Sequence, residues 1–139
     1  MTTPIVLYII DDDRDDQNLL IEILREIDPT IEYYTATNGQ EGLKKLDSNS
    51  IPIPSVIFLD LNMPRIDGRQ FLSEIKKRES YKFIPLIIYT TSSNQKDIDE
   101  LTQLGAAGYL VKQFDIKLLK KELNDLLSTL PQSNFNQEI

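Results

Sequence analysis

Val56-Ile57-Phe58-Leu59-Asp60 decides the fold of this 139-residue chain. Its four consecutive apolar side chains, three of them β-branched or aromatic, show no polar alternation. They read as a short strand buried on both faces. Strands of that kind belong to parallel sheets covered by helices on both sides. The run ends on a carboxylate. An earlier apolar run, Pro4 to Ile10, ends the same way in Asp11-Asp12.

Outward from that strand, apolar runs alternate with amphipathic stretches. Pro4 to Ile10 predicts the first strand. Arg14 to Asp28 carries Leu19, Leu20, Ile23, Leu24 and Ile27 at helical spacing, and Asp28-Pro29 ends that helix. Ile31 to Ala36 predicts a second strand. Asn38-Gly39 breaks it and a helix runs to about Ser48, with Leu43 and Leu46 inward. A Pro- and Ser-bearing loop precedes the third strand, Ser55 to Asp60. Asp67-Gly68 opens a helix with Phe71, Leu72 and Ile75 on one face. Phe83 to Tyr89 predicts the fourth strand. Asn94 to Leu104 is a short helix with a thin stripe of Ile98, Leu101 and Leu104. Ala106 to Val111 predicts the fifth strand. Asp115 caps a last helix with Leu119, Leu123, Leu126 and Leu130 inward, and Pro131 stops it. Five strands alternating with five helices predict one α/β domain with a five-stranded parallel sheet. Right-handed crossovers place helices on both faces, a three-layer sandwich. The ligand site of such a sheet lies at the carboxyl ends of its strands.

Composition narrows the chemistry. Hydrophobic residues make up 40% and charged residues 27%, as in soluble globular domains. No apolar stretch is long enough to span a membrane, and the first residues lack a signal-peptide pattern. The chain has no cysteine, hence no disulfide or thiolate metal site, and no histidine, hence no imidazole catalysis. A cytoplasmic location is expected. With net charge −7 and a pI near 4.6, the chain repels a phosphate backbone, so nucleic acid is not an expected partner.

The strand-end rule brings Asp11, Asp12, Asp60, Thr90 and Lys112 together. Three carboxylates offer oxygen to a hard cation such as Mg2+, or Mn2+ in its place. The backbone carbonyl of Asn62 is a further candidate ligand. Such a cation neutralises charge on an incoming phosphoryl group, and Asp60 beside it is placed to attack phosphorus and form an acyl phosphate. Thr90 offers a hydroxyl and Lys112 an ammonium to the phosphoryl oxygens. Asp13, Asp15 and Asp16 read more simply as an N-cap and an acidic first turn. Adjacent Asp11 and Asp12 closing a buried strand are costly without a counter-ion. None of these residues is specific alone; their order at four strand ends is.

These residues resemble the response-regulator receiver domain of two-component signalling. That pattern is an acidic pair after strand one, a phospho-accepting Asp after strand three, Thr or Ser after strand four and Lys after strand five. Leu59-Asp60-Leu61-Asn62-Met63-Pro64 with Asp67-Gly68 resembles its phosphorylation loop, and Gly105-Ala106-Ala107-Gly108-Tyr109-Leu110-Val111-Lys112 its fifth-strand signature. The resemblance covers residues 4–130 as one domain. It implies a flavodoxin-like (βα)5 fold with strand order 2-1-3-4-5, and a phosphoryl group donated by a sensor histidine kinase or histidine phosphotransfer protein. It implies that Asp12 ligates Mg2+ directly, with Asp11 beside it or acting through water. It also implies a switch in which Thr90 moves toward the phosphoryl group and Tyr109 swings inward behind it. The protein is then expected to be a signalling switch that phosphorylates and dephosphorylates itself, not an enzyme with a free substrate. Residues 131–139 are expected to be a short polar tail with no effector domain. The output is then a contact with a protein target through the face of the fourth helix and fifth strand, in a monomer or weak homodimer.

One position departs from the family. Gln113 stands where a proline usually follows the strand-five lysine, so a trans peptide is expected there and the aim of Lys112 is left open. Two other readings stand beside the first. One is a pseudo-receiver that binds without phosphorylation, supported only by Gln113. The other is a phosphatase of the haloacid-dehalogenase class, whose DxD motif Asp11-x-Asp13 matches superficially.

Overall fold

The computed structural model describes residues 4–63 and 66–129. Strand and helix alternate from the first element to the last: β1 (Val6–Ile10), α1 (Arg14–Ile27), β2 (Glu32–Ala36), α2 (Gly39–Asp47), β3 (Val56–Leu59), α3 (Gly68–Lys76), β4 (Leu86–Thr90), α4 (Gln95–Gln103), β5 (Gly108–Val111) and α5 (Ile116–Ser128). The five strands form one sheet in the order β2-β1-β3-β4-β5, and every pairing is parallel. This is the flavodoxin-like arrangement.

The three inner strands are the near-continuous apolar runs, while the outer two carry the polar and half-exposed positions. Strand alternation then splits the core in two. Leu7, Ile9, Val56, Phe58, Ile87 and Tyr89 face Leu20, Ile23 and Leu24 of α1 and Leu119, Leu123 and Leu127 of α5. Tyr8, Ile10, Ile57, Leu59, Leu86 and Ile88 face α2, α3 and Leu101 of α4. Two tyrosine hydroxyls of this second layer are paired: Tyr8 Oη donates to Gly42 O at 2.9 Å, and Tyr81 Oη to Leu46 O at 2.8 Å.

Two expectations need correction. The fourth strand does not begin at Phe83. Residues 78–84 form turns, with Tyr81 N donating to Arg78 O and Ile84 N to Tyr81 O. Phe83 is 80% exposed. Apolar character alone extended the run backward, whereas Pro85, without an N–H, stands just before the ladder. The strand also ends one residue later than expected, so Thr90 pairs with Val111. On α5 the fully buried face is Leu119, Leu123 and Leu127, with Leu126 only half-buried beside it. Both spacings satisfy a 3.6-residue period, and the i, i+4 row is the one that meets the sheet. Leu130 and the tail 131–139 lie outside the described residues, as does Pro64 of the phosphorylation-loop motif. No described helix is long and apolar enough to cross a membrane.

Candidate functional site

The register of the inner strands builds the site. Ile10 pairs with Leu59, so Asp11 and Asp60 leave the sheet side by side. Backbone bonds hold them there: Asp60 N donates to Ile10 O at 3.0 Å and Asp11 N to Ala36 O at 3.0 Å. Gln17, buried in the first turn of α1, donates through Nε2 to Asp11 O at 2.7 Å and Ala36 O at 3.0 Å. The helix start is thereby pinned to the ends of β1 and β2. Asp11 is 1% and Asp60 7% exposed, while Asp12 is exposed. Carboxylate oxygens of all three lie within 4.8 Å of one another. Asp13 is spent on the helix, its side chain accepting from Asp15 N and Asp16 N. The DxD reading therefore loses its second carboxylate.

Lys112 leaves β5 toward this cluster. Its N–H donates to Thr90 O at 2.7 Å. Its Nζ lies 2.9 Å from Asp11 Oδ2, 2.7 Å from Asp16 Oδ2 and 3.6 Å from Asp60 Oδ2. Gln113, the departure from the family pattern, does not misdirect it. No described peptide is cis, and Gln113 Nε2 donates to Glu122 Oε1 at 2.6 Å. Sequence reasoning missed Asp16 as a partner of the lysine; its acid in a first helical turn carries no signal of a contact across the molecule.

The electrostatics follow from burial. Desolvation pushes the Asp11 carboxyl up to about 6 and outweighs the opposing hydrogen bonds from Lys112 and Asp13; the Asp60 charge adds to the rise. Burial alone would lower the Lys112 ammonium, but hydrogen bonds to Asp16 and Asp11 and the Asp60 charge hold its pKa above the ordinary value. The pocket gathers three carboxylates with one ammonium beside them. Its donors are oxygens, the chemistry that suits a hard divalent cation. Thr90 Oγ1 is the one buried side-chain polar atom without a hydrogen-bond partner among the described residues. Such an orphan costs about 1–3 kcal/mol unless a ligand satisfies it.

Two further residues frame the pocket. Asn62 lies exposed just past β3. Gly68 begins α3 against the Asp60 turn: a Cβ there would stand 2.8 Å from both Asp60 O and Leu61 Cα. Asp67 and Gln70 close a reciprocal capping box at that helix start. Tyr109 is half-buried on β5, and its hydroxyl donates to Ser92 O at 2.9 Å, in the loop after Thr90.

The family model for the response regulator receiver domain matches residues 7–124. The chain belongs to that family. Among its relatives is the response regulator Rcp1 of Synechocystis sp., 32% identical over 129 residues that span 90% of this chain and 88% of Rcp1. A crystal structure of the Mn2+-bound form of response regulator Rcp1 has a TM-score of 0.79 at 32% identity, covering 91% of this chain and 94% of that one. The phosphorylated cyanobacterial phytochrome response regulator RcpA has a TM-score of 0.79 at 29% identity, covering 87% and 89%. TrrA of Thermotoga maritima, in complex with Mg2+ and BeF, has a TM-score of 0.70 at 32% identity, covering 88% and 98%. This receiver thus carries an acidic pocket of Asp11, Asp12 and Asp60 with Lys112 at its edge.

Proposed function

We propose that Asp60 of this receiver accepts a phosphoryl group from the phosphohistidine of a sensor histidine kinase or phosphotransfer protein in the cytoplasm, and that the acyl phosphate switches a protein-binding surface. The observation that carries the reading is the convergence of three carboxylates within 4.8 Å with an ammonium 3.6 Å from Asp60 Oδ2. A phosphorylated relative and relatives holding Mn2+ or Mg2+ support it.

In this reading Asp11, Asp12, Asp60 and the Asn62 carbonyl hold Mg2+. When bound, the cation supplies charge neutralisation for the phosphoryl oxygens. The chain's own residues do the rest. An Asp60 carboxylate oxygen attacks phosphorus in line, the O–P bond forms as the P–N bond breaks, and the departing imidazole keeps the electron pair. Lys112 donates hydrogen bonds to the transferred group, and Thr90 Oγ1 gains the partner it lacks. Thr90 and Tyr109 then carry the change outward, because Tyr109 is bonded to the loop that follows Thr90. Water later attacks phosphorus and releases phosphate, restoring Asp60. We take residues 4–130 as the unit that does this.

Intact mass after incubation with acetyl phosphate and Mg2+ tests the proposal. The wild type should gain one phosphoryl group and Asp60→Asn none. Equal labelling of both would remove Asp60 from the role, and no labelling of either would favour a binding module without phosphorylation.

A further inference from the structure

Lys112 has three N–H donors, and the structure accounts for them unevenly. The shortest contact is to Asp16 Oδ2 at 2.7 Å, ahead of Asp11 Oδ2 at 2.9 Å. Asp60 Oδ2, at 3.6 Å, is beyond hydrogen-bond length. Asp16 stands apart from the acidic triad. It belongs to the first turn of α1, and its backbone is fixed by the N-cap, Asp16 N donating to Asp13 Oδ1 at 3.1 Å. That turn is itself pinned to the strand ends by Gln17. The Tyr89 ring centroid lies 5.5 Å from the same Nζ. Asp16 and Tyr89 therefore both lie against the ammonium of a side chain that is only 11% exposed.

We infer that Asp16 is a positioning residue: it anchors the Lys112 ammonium at the mouth of the pocket, leaving one N–H free toward the group arriving on Asp60. The role rests on the phosphoryl-transfer reading above. Two carboxylates share the ammonium, but they are not equivalent. Asp11 is also a candidate ligand of the cation, and a divalent charge there weakens its hold on Lys112. Asp16 is not in that set, so its hold survives when the cation binds. A lysine side chain without this anchor has four rotatable bonds and a mobile charge. Orientation of a charged group is worth large factors in rate when the geometry is kept.

The test is a cycle of Asp16→Asn, Lys112→Ala and the double variant, followed by intact mass with acetyl phosphate. Asp16→Asn should slow the initial phosphorylation rate by about tenfold, and add nothing in the Lys112→Ala background. Asp16→Glu should recover part of the rate. The thermal shift produced by Mg2+ alone should be the same in wild type and Asp16→Asn. Independently of phosphorylation, Lys112 should undergo reductive methylation faster in Asp16→Asn than in wild type, read by peptide mass. A wild-type rate in Asp16→Asn, additive losses in the double variant, unchanged methylation, or a loss of the Mg2+ shift in Asp16→Asn each overturns the role. A wild type that takes no phosphoryl group overturns the reading it rests on. A labelled wild type with an unaffected Asp16→Asn overturns the positioning role alone.

Discussion

A buried hydroxyl without a partner costs about 1–3 kcal/mol, and Thr90 Oγ1 is such a group among the described residues. A site that tolerates this cost trades stability for chemistry. Thr90→Val keeps the branched shape and removes the orphan. It should raise stability by about 1 kcal/mol, read from the urea midpoint, while slowing the response to phosphorylation. An unchanged or lowered midpoint would show that Oγ1 is satisfied in solution. Lys112 makes the complementary case. Lys112→Ala should cut the phosphorylation rate by more than about tenfold and change the Mg2+ affinity much less, since the ammonium competes with the cation for Asp11 and does not hold it. Equal losses, measured by acetyl phosphate labelling and Mg2+ titration, would contradict that division of labour. These residues were legible because each closes a strand in the family's order. Asp16 was not. An acid in a first helical turn is favoured on local grounds alone, and its partner lies 96 positions away.

Elements were legible where periodicity and stops agreed. The helices of α1 and α3 fall where their stripes and caps put them, with Asp13 and Asp67 as caps. Phe83 failed for a physical reason: an apolar run looks the same whether it enters a sheet or folds into turns before a proline. Gly68 shows what a pattern cannot convey. Its need is a close approach to Asp60 O and Leu61 Cα, fixed by tertiary packing. Gly68→Ala should therefore cost about 1–3 kcal/mol by overpacking, although alanine favours helices, and denaturant unfolding reads the sign. A stabilised variant would mean the α3 start moves freely. The α4 helix buries only Leu101 and depends on polar ties. Arg69 of α3 lies 2.6 Å from Asp97 and 2.7 Å from Glu100, and Asp97 accepts from Ser92 Oγ at 2.8 Å, in the loop that also receives Tyr109. Partly exposed pairs of this kind are worth about 0.2–1 kcal/mol. Arg69→Ala should thus leave global stability nearly unchanged but speed amide hydrogen exchange in α4. Unaltered exchange there would locate the tie elsewhere.

At the scale of the molecule, the alternation of apolar runs and amphipathic stretches implied a parallel sheet with two helical layers. The order 2-1-3-4-5 entered only through the family resemblance, because periodicity says nothing about which strands are neighbours. That order places β1 and β3 side by side at its centre and so concentrates charge. Asp11, Asp12 and Asp60 gather within 4.8 Å of one another, with the Lys112 ammonium beside Asp11 and Asp60, in a chain of net charge −7. Folding brings these carboxylates together; unfolding separates them. A cation that binds the gathered set and not the open chain stabilises the native state by RT ln(1 + [L]/Kd). At about ten times its Kd, Mg2+ contributes about 1.4 kcal/mol, and a domain of this size converts that into a thermal midpoint about 5 °C higher. Sodium chloride at matched ionic strength screens exposed charges without filling the pocket, so its smaller shift is the baseline. Asp60→Asn should raise the metal-free midpoint, by removing one buried charge, and shrink the Mg2+ increment. A wild-type midpoint that responds to Mg2+ no more than to sodium chloride would mean that the three carboxylates do not act as one cation site.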